Sequence, residues 1–134
     1  PKSGKAFISV KPADKAKSVL VARQLHELGF SLLATRGTAA AIGATGVPVT
    51  IVNKVNEGRP HIVDMIKNNE IAFIVNTVEE KRSAIIDSRS IRTSALAQKV
   101  TLFTTVEGGL AACQGMRHAG LETYALQALH TELQ

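Results

Sequence analysis

Five short apolar segments alternate with segments of helical character along this 134-residue chain. The apolar segments are nearly continuous and are not interrupted by polar residues at every second position, a pattern typical of strands buried on both faces. Strands that are separated by helices assemble into a parallel sheet covered by crossover helices on both sides. The alternation therefore predicts an α/β fold, a three-layer sandwich with a five-stranded, mainly parallel sheet.

The predicted elements are bounded by glycine, proline and other turn residues. Strands are predicted at residues 5–10, 30–34, 48–52, 71–75 and 100–103. Helices are predicted at 14–28, from Thr38 to Gly43 or Gly46, from Pro60 onward, and at 87–98, 110–116 and 122–133. Residues 79–83 are charged and predict an exposed loop. In the helix at 87–98, we expect Ile91, Ala95 and Leu96 to lie on one apolar face.

The composition fits one domain spanning residues 1–134. Hydrophobic residues make up 45% and charged residues 20%, which is ordinary for a globular protein. No apolar run reaches the ~18 residues of a membrane span, and the first residues do not have the apolar region of a signal peptide. We therefore expect a cytoplasmic protein with no membrane partner. Because the chain begins at Pro1, we expect it to be either processed or excised from a longer polypeptide.

Charge and cysteine content narrow the function classes further. A net charge of +5 suggests anionic partners, but aromatic residues are only 4% and tryptophan is absent, which argues against nucleic acid. Cys113 is the single cysteine, so disulfides and cysteine-based zinc sites are excluded, and its alanine-rich context predicts a small buried residue. His26, His118 and His130 are scattered helical residues that do not have ligand spacing, and no metal site is expected.

The segment at residues 31–42 combines a strand end, a hydroxyl-rich turn and an alanine-rich helix start. Its apolar run ends at Thr35, Gly37 allows close backbone approach, and Thr38 is predicted to be the N-cap of the helix. A helix N-terminus with two threonine hydroxyls suits a phosphate group. The segment by itself is equally compatible with a capped turn that binds nothing.

Small polar residues follow every predicted strand. In a parallel sheet these carboxyl ends share one edge, where ligands bind near the topological switch point. The residues are Ser9, Thr35 with Thr38, Asn53 with Lys54, Asn76 with Thr77, and Thr104 with Thr105. Lys15, in the first turn of the first helix, is predicted to reach the same edge or to be a solvated surface lysine. Together the ammonium, hydroxyl and amide groups predict a site for a phosphorylated small molecule such as a nucleoside monophosphate.

No convincing catalytic set accompanies this site. The phosphate-binding motifs GxxxxGK[ST] and GxGxxG are absent. His61 is compatible with a pocket residue or with an exposed loop histidine, Asp64 falls inside an amphipathic helix, and Asp87 is predicted to cap a helix. The sequence therefore predicts a binding module rather than an enzyme. A pure interaction domain, whose strand ends are only capped turns, is a further alternative.

Four segments of the chain resemble the methylglyoxal-synthase-like (MGS-like) domain. They read ATRGTA at 34–39, VNKVNEGRPH at 52–61, VNT at 75–77 and DSRSIRTSAL at 87–96. The similarity is greater to the version found at the C-terminus of the large subunit of bacterial carbamoyl phosphate synthetase. It implies a Rossmann-like fold and the allosteric regulatory domain of a glutamine-hydrolysing, ATP-dependent ligase that serves pyrimidine and arginine biosynthesis.

The resemblance also implies ligands and the residues that bind them. UMP and IMP would share one site, and ornithine would bind separately, near Thr104. The effector phosphate would be held by Ser9, Lys15, Thr35, Gly37, Thr38 and Lys54, and the ribose or base would lie by Asn53, Asn76 and Thr77. The domain itself would need no cofactor, whereas the parent enzyme would use ATP, Mg²⁺, bicarbonate and glutamine-derived ammonia. Its partners would be the synthetase domains and a small glutaminase subunit.

The chain departs from the family pattern at several positions. Leu102 and Phe103 replace more polar residues before Thr104, in the segment that resembles the ornithine contact region. Val78 stands where the bacterial proteins have a second threonine after Asn-Thr. The alternative interpretation is that the chain is a free-standing lyase of the methylglyoxal synthase type. That enzyme has a catalytic aspartate where this chain has Arg59. Because arginine cannot act as a base at neutral pH, this substitution argues against the lyase.

Overall fold

The computed structural model describes residues 4–54, 57–58, 61–79 and 82–133. Its strands are β1 (Gly4–Ser9), β2 (Phe30–Ala34), β3 (Thr50–Ile51), β4 (Phe73–Asn76) and β5 (Thr101–Phe103). Its helices are α1 (Lys15–Glu27), α2 (Arg36–Gly43), α3 (Ile62–Lys67), α4 (Arg82–Ala97) and α5 (Val106–Leu133). A short 3-10 turn at Pro12–Asp14 connects β1 to α1.

The sheet has the strand order β3-β2-β1-β4-β5, and every pair of neighbouring strands is parallel. β1 is central and pairs Ala6 with Leu32 on one side and with Phe73 on the other. The chain adds β2 and β3 on one side of β1 and then crosses over to add β4 and β5 on the other. The carboxyl ends of β1 and β4 therefore flank the topological switch point. The predicted α/β fold with a five-stranded sheet is confirmed.

Helices α1, α2 and α5 cover one face of the sheet. Ala6 and Ile8 of β1 contribute to this layer, and Phe73 of β4 stacks at a tilt between two further phenylalanines of the sheet. The buried helical side chains include Val21, Leu25, Ile42, Val106 and Cys113. Full burial of one such aliphatic side chain stabilises a fold by about 1.5–3 kcal/mol, so this layer anchors α1 and α2 firmly on the sheet.

Helices α3 and α4 cover the opposite face. Phe7 of β1 and Ile74 of β4 pack there against Ile62 and Ile66 of α3 and Ile91 of α4. Because Ala6, Phe7 and Ile8 are all fully buried, β1 is covered on both of its faces, as its continuous apolar sequence predicts.

The edge strand β3 differs from the prediction. It spans Thr50–Ile51 rather than residues 48–52, and both of its residues are exposed, Ile51 by 52%. β3 pairs with β2 alone, matching Thr50 to Leu33 and Ile51 to Ala34. An edge position has one neighbour and incomplete cover, which the β-branched sequence does not reveal.

The start of α2 corrects the prediction that Thr38 is its N-cap. The helix begins at Arg36, and Thr35 is the N-cap residue, with extended backbone angles (φ −68°, ψ 160°). The first helical hydrogen bond runs from the Ala39 N–H to the Thr35 carbonyl oxygen at 2.7 Å. Thr38 therefore lies within the first turn, where its side chain is directed to tertiary partners.

Helices α4 and α5 are longer than predicted. α4 begins at Arg82, so the predicted loop at 79–83 is partly helical and Asp87 lies inside the helix instead of capping it. α5 begins at Val106 and is one helix through both segments that were predicted separately. Its first turn includes Gly109, where a Cβ would come within 2.8 Å of the Val75 side chain, so glycine allows the helix to pack closely on the sheet.

The predicted apolar face of α4 is only partly correct. Ile91 is 6% exposed and Ala95 is fully buried, whereas Leu96 is 73% exposed. Residues 91 and 95 are separated by about one helical turn and share the face that packs on the sheet, and residue 96 is rotated away from it by about 100°.

Candidate functional site

Three hydroxyl groups predicted to meet at the carboxyl edge of the sheet do lie together. Ser9 Oγ and Thr35 Oγ1 are 3.0 Å apart, and Thr35 Oγ1 lies 3.5 Å from Thr38 Oγ1. Thr38 Oγ1 also accepts a hydrogen bond from the Val10 N–H at 3.2 Å. Thr35 and Thr38 are only 3% and 1% exposed. This group of residues, Ser9, Thr35 and Thr38, is called the hydroxyl cluster below, and it fixes the exit of β1 against the start of α2.

The N-terminus of α2 lies beside the hydroxyl cluster, with a lysine ammonium against it. The first backbone amides of an α-helix have no hydrogen-bond partner within the helix and carry partial positive charge. Lys15 reaches across from the first turn of α1, and its Nζ lies so close to Gly37 that a Cβ at this position would overlap it. Glycine at this position leaves room for the end of the Lys15 side chain. Helix amides and an ammonium group together suit an anion.

The ends of β1 and β4 are tied together across the switch point. The Thr77 N–H donates to the Ser9 carbonyl oxygen at 3.0 Å, and the Lys11 N–H donates to Thr77 Oγ1 at 2.9 Å. Asn76 pairs in register with Ser9 and is 8% exposed. Thr77 is thus held through its backbone by Ser9 of β1 and through its side chain by Lys11 just after β1, and Asn76 is placed next to Ser9.

A small cavity of about 90 Å³ opens at this switch point. It brings together Ser9, Lys54, Asn76 and Thr77, four of the predicted site residues. The sequence reasoning did not select several other lining residues, which are Val10, Lys11, Val78, Glu79, Ser88 and Ile91. Ser88 and Ile91 come from α4, and the seryl side chain is buried. The DSRSIRTSAL segment that carries part of the family resemblance contains both residues and was the signal that could have pointed to them.

The cavity therefore has a polar wall from the strands and a mixed wall from α4. A larger groove of about 800 Å³ runs beside β3 and includes Asn53, but most of its lining residues are apolar. The larger groove does not contain the hydroxyl cluster or either of the lysines predicted to bind phosphate. We assign the candidate site to the smaller cavity and the adjoining α2 N-terminus because the chemistry converges there.

The loop after β3 brings Asn53 and Lys54 to the same edge. The Lys54 N–H donates to Glu57 Oε1 at 2.7 Å, and the Glu57 N–H donates back to the Lys54 carbonyl oxygen at 3.0 Å. Arg36 lies 3.5 Å from Glu57 Oε2 through its Nε, and its Nη2 donates to Asn53 Oδ1 at 3.4 Å. Two predicted site residues are thus linked to the first residue of α2.

His61 and Asp64 belong to the start of α3. His61 is 7% exposed, so its interpretation as an exposed loop histidine is wrong. Its N–H donates to Asp64 Oδ2 at 3.3 Å, and its Nδ1 lies 3.6 Å from the same oxygen. The two side chains shape the helix start, and neither lines the cavity. Pro60, predicted to begin this helix, and Arg59 lie outside the described residues.

Two other predicted residues lie apart from the cavity. Thr104 is exposed at the bend that follows β5. Cys113 is fully buried in the layer of α1, α2 and α5, as predicted, and burial raises the pKa of its thiol to about 11. A thiol with this pKa is protonated at neutral pH, which fits a core residue rather than a nucleophile.

Within the described part of the chain, no cluster of three or more histidine, cysteine, aspartate or glutamate side chains could hold a metal ion. A search of the same residues finds no helix with the length and apolar character needed to cross a membrane.

The geometry agrees with a comparison against protein-family models. The model of the MGS-like domain matches residues 17–104, which include α2, β3, Lys54 and α4. The chain belongs to the MGS-like domain family. The MGS-like match covers most of the parallel sheet and three of the strand ends that form the site.

The chain is also similar, over nearly its whole length, to a segment of much larger proteins. The chain is 55% identical over 134 residues to the carbamoyl phosphate synthase large chain of Ralstonia nicotianae and 53% identical over 135 residues to that of Xanthomonas axonopodis pv. citri. It is 50% identical over 131 residues to the protein of the same name from Pseudomonas aeruginosa. These alignments cover 97–100% of this chain but only 12% of each large chain. The MGS-like domain thus corresponds to a small part of its relatives.

Proposed function

We propose that this MGS-like domain is an allosteric nucleotide sensor that binds UMP and IMP at the carboxyl edge of its sheet. The observation that carries the proposal is the convergence of Lys15, Lys54, the hydroxyl cluster and the α2 N-terminus on one edge. Ammonium groups, hydroxyls and helix amides are the groups that bind a phosphate monoester dianion. The phosphate is assigned to Ser9, Lys15, Thr35, Gly37, Thr38 and Lys54, and the ribose and base to Asn53, Asn76 and Thr77.

The similarity to carbamoyl phosphate synthase large chains supports the biological setting of this proposal. The domain would regulate a glutamine-hydrolysing synthase in the cytoplasm, with the synthetase domains and a small glutaminase subunit as its protein partners. That enzyme would use ATP, Mg²⁺, bicarbonate and glutamine-derived ammonia and would serve pyrimidine and arginine biosynthesis. Ornithine would act near Thr104. Regulation requires that the nucleotide favours one conformation of the whole enzyme over another by differential contacts.

Binding can be tested on this chain by thermal unfolding and titration calorimetry with UMP, IMP and inorganic phosphate. A ligand that binds only the folded state raises the free energy of unfolding by about 2.7 kcal/mol at a hundredfold excess over its Kd. We expect a saturable increase with UMP and IMP that exceeds the increase with phosphate. The absence of any nucleotide effect would contradict the proposal.

Lys54→Ala provides the residue-level test. Loss of one charge-assisted hydrogen bond to phosphate is expected to weaken UMP binding by roughly 1.5–3 kcal/mol. Lys67→Ala, which removes an exposed lysine from the last turn of α3, is the matched control and is expected to bind UMP normally. Undiminished UMP and IMP binding by Lys54→Ala would contradict the assignment of Lys54.

A further inference from the structure

Glu57 is an acidic residue in the loop that carries a proposed phosphate-binding lysine. A carboxylate near a bound phosphate repels it, and the repulsion weakens anion binding. If Glu57 were a bystander, its removal would therefore leave anion affinity unchanged or increase it. The contacts of its carboxylate point to the opposite effect.

Glu57 and Lys54 hold one another through two reciprocal hydrogen bonds. Glu57 Oε1 accepts from the Lys54 N–H at 2.7 Å, and the Lys54 carbonyl oxygen accepts from the Glu57 N–H at 3.0 Å. The first bond corresponds to one half of a helix capping box, and the second is the backbone bond that closes a four-residue turn. Gly58 follows with a φ of +101°, which glycine adopts without strain, so the chain can turn directly after the carboxylate. The backbone of Lys54 is thereby fixed on both sides of its Cα.

Arg36 links this fixed turn to the phosphate end of α2. Its Nε lies 3.5 Å from the second carboxylate oxygen of Glu57, and its Nη2 donates to Asn53 Oδ1 at 3.4 Å. Arg36 is the first residue of α2 and directly follows Thr35 of the hydroxyl cluster. The Arg36 side chain is 65% exposed, and an exposed ion pair contributes little to the stability of a fold. The pair instead connects two segments that the proposed ligand must contact together.

We propose that Glu57, anchored by Arg36, is a positioning residue that presents Lys54 to the effector phosphate. The inference rests on the proposed nucleotide-binding function. Without Glu57 the Lys54 turn samples more conformations, and ordering it again upon binding costs affinity. The carboxylate thus improves binding of an anion although its own charge opposes that binding.

The experiment measures the Kd of UMP and of inorganic phosphate by titration calorimetry for the unmodified chain, Glu57→Ala and Glu57→Gln. We expect Glu57→Ala to bind UMP about tenfold more weakly, the effect of losing one hydrogen bond to a charged group. Glu57→Gln keeps an oxygen that accepts from the Lys54 N–H but loses the charge that pairs with Arg36. Its affinity is therefore expected to fall between those of the other two proteins.

A double-mutant cycle separates positioning from a general structural effect. If Glu57 acts through the Lys54 ammonium, Glu57→Ala in a Lys54→Ala background should change the remaining affinity by less than about twofold. An equal loss in both backgrounds would indicate a general structural effect and would overturn the proposal. Glu70→Ala removes a carboxylate of similar exposure that pairs with Lys5 at 3.4 Å at the amino-terminal edge of the sheet, and it is expected to leave the Kd unchanged.

The outcomes distinguish this inference from the function on which it rests. Failure of the unmodified chain to bind UMP or phosphate would overturn the proposed function and the inference with it. Normal or tighter binding by Glu57→Ala, with the unmodified chain binding UMP, would overturn the positioning role and leave the nucleotide site standing. Melting temperatures measured without ligand identify any variant whose fold itself has changed.

Discussion

The two sides of the candidate site are built in different ways. Thr35 and Thr38 of the hydroxyl cluster are almost completely buried, Ser9 is partly buried, and their hydrogen bonds connect the end of β1 to the start of α2. Lys54 and Glu57, in the loop after β3, are exposed and are joined by polar contacts with each other and with Arg36. The same proposed ligand would thus contact a rigid surface set by the fold and a loop set by a few surface interactions. Substitutions in the buried side should change stability as well as binding, whereas substitutions in the loop should change mainly binding.

The largest expected effect is on the reactivity of Cys113, which lies in the buried layer of α1, α2 and α5. Burial raises the pKa of Cys113 to about 11 from an ordinary 9.0, so its thiolate fraction at pH 8 is about a hundredfold below that of an accessible cysteine. We expect correspondingly slow labelling by a thiol reagent in the native protein and fast labelling in denaturant. Rapid native labelling would show that this layer opens readily.

The same pKa predicts a pH dependence of stability. The pKa of the folded state is raised, so the contribution of the neutral thiol is fully present below pH 9 and is lost as the pH rises toward 11. The free energy of unfolding of Cys113→Ala should fall less steeply between these pH values than that of the unmodified chain.

The second prediction removes one hydroxyl of the buried cluster. Thr38→Val keeps the shape of the side chain but leaves the buried Val10 N–H without its acceptor, and this should lower the free energy of unfolding by about 1–3 kcal/mol. Thr105→Val is the matched control, because Thr105 Oγ1 accepts from the Gly108 N–H at 3.0 Å at an exposed site where water can replace it. Denaturant unfolding without ligand measures both. Equal losses would show that burial does not distinguish the two bonds.

The smallest expected change in stability is at the junction of the two sides. Gly37→Ala should leave stability unchanged or raise it by up to about 1 kcal/mol, because alanine favours a helix. Its Cβ would displace the flexible end of Lys15, so UMP binding should weaken. Gly43→Ala at the other end of α2 meets only an ordinary 3.8 Å contact with Val49 and should bind UMP normally. Normal UMP binding by Gly37→Ala would contradict the assignment of Lys15 to the phosphate site.

The residues of the carboxyl edge were predictable because a parallel sheet brings all of its strand ends to one side. Ser9, Asn76 and Thr77 could be placed from their positions after apolar runs, and the structure brings them together around the cavity. Ser88 could not be placed in this way, because it lies within α4 and the rule that collects strand ends does not apply to residues of a helix. The link between Arg36 and Glu57 joins segments that are far apart in the chain, and local pattern does not record it.

The sequence by itself determined the alternation of strands and helices, the parallel sheet and the polar strand ends, since these follow from local hydrophobic pattern and chain connectivity. Only the tertiary structure decided the strand order, the exposure of β3 and the start of α2 at Arg36. It also decided which lysine lies over Gly37 and which carboxylate holds Lys54. These features depend on contacts between distant segments, whose energies are comparable to the differences between local alternatives, so packing selects among them.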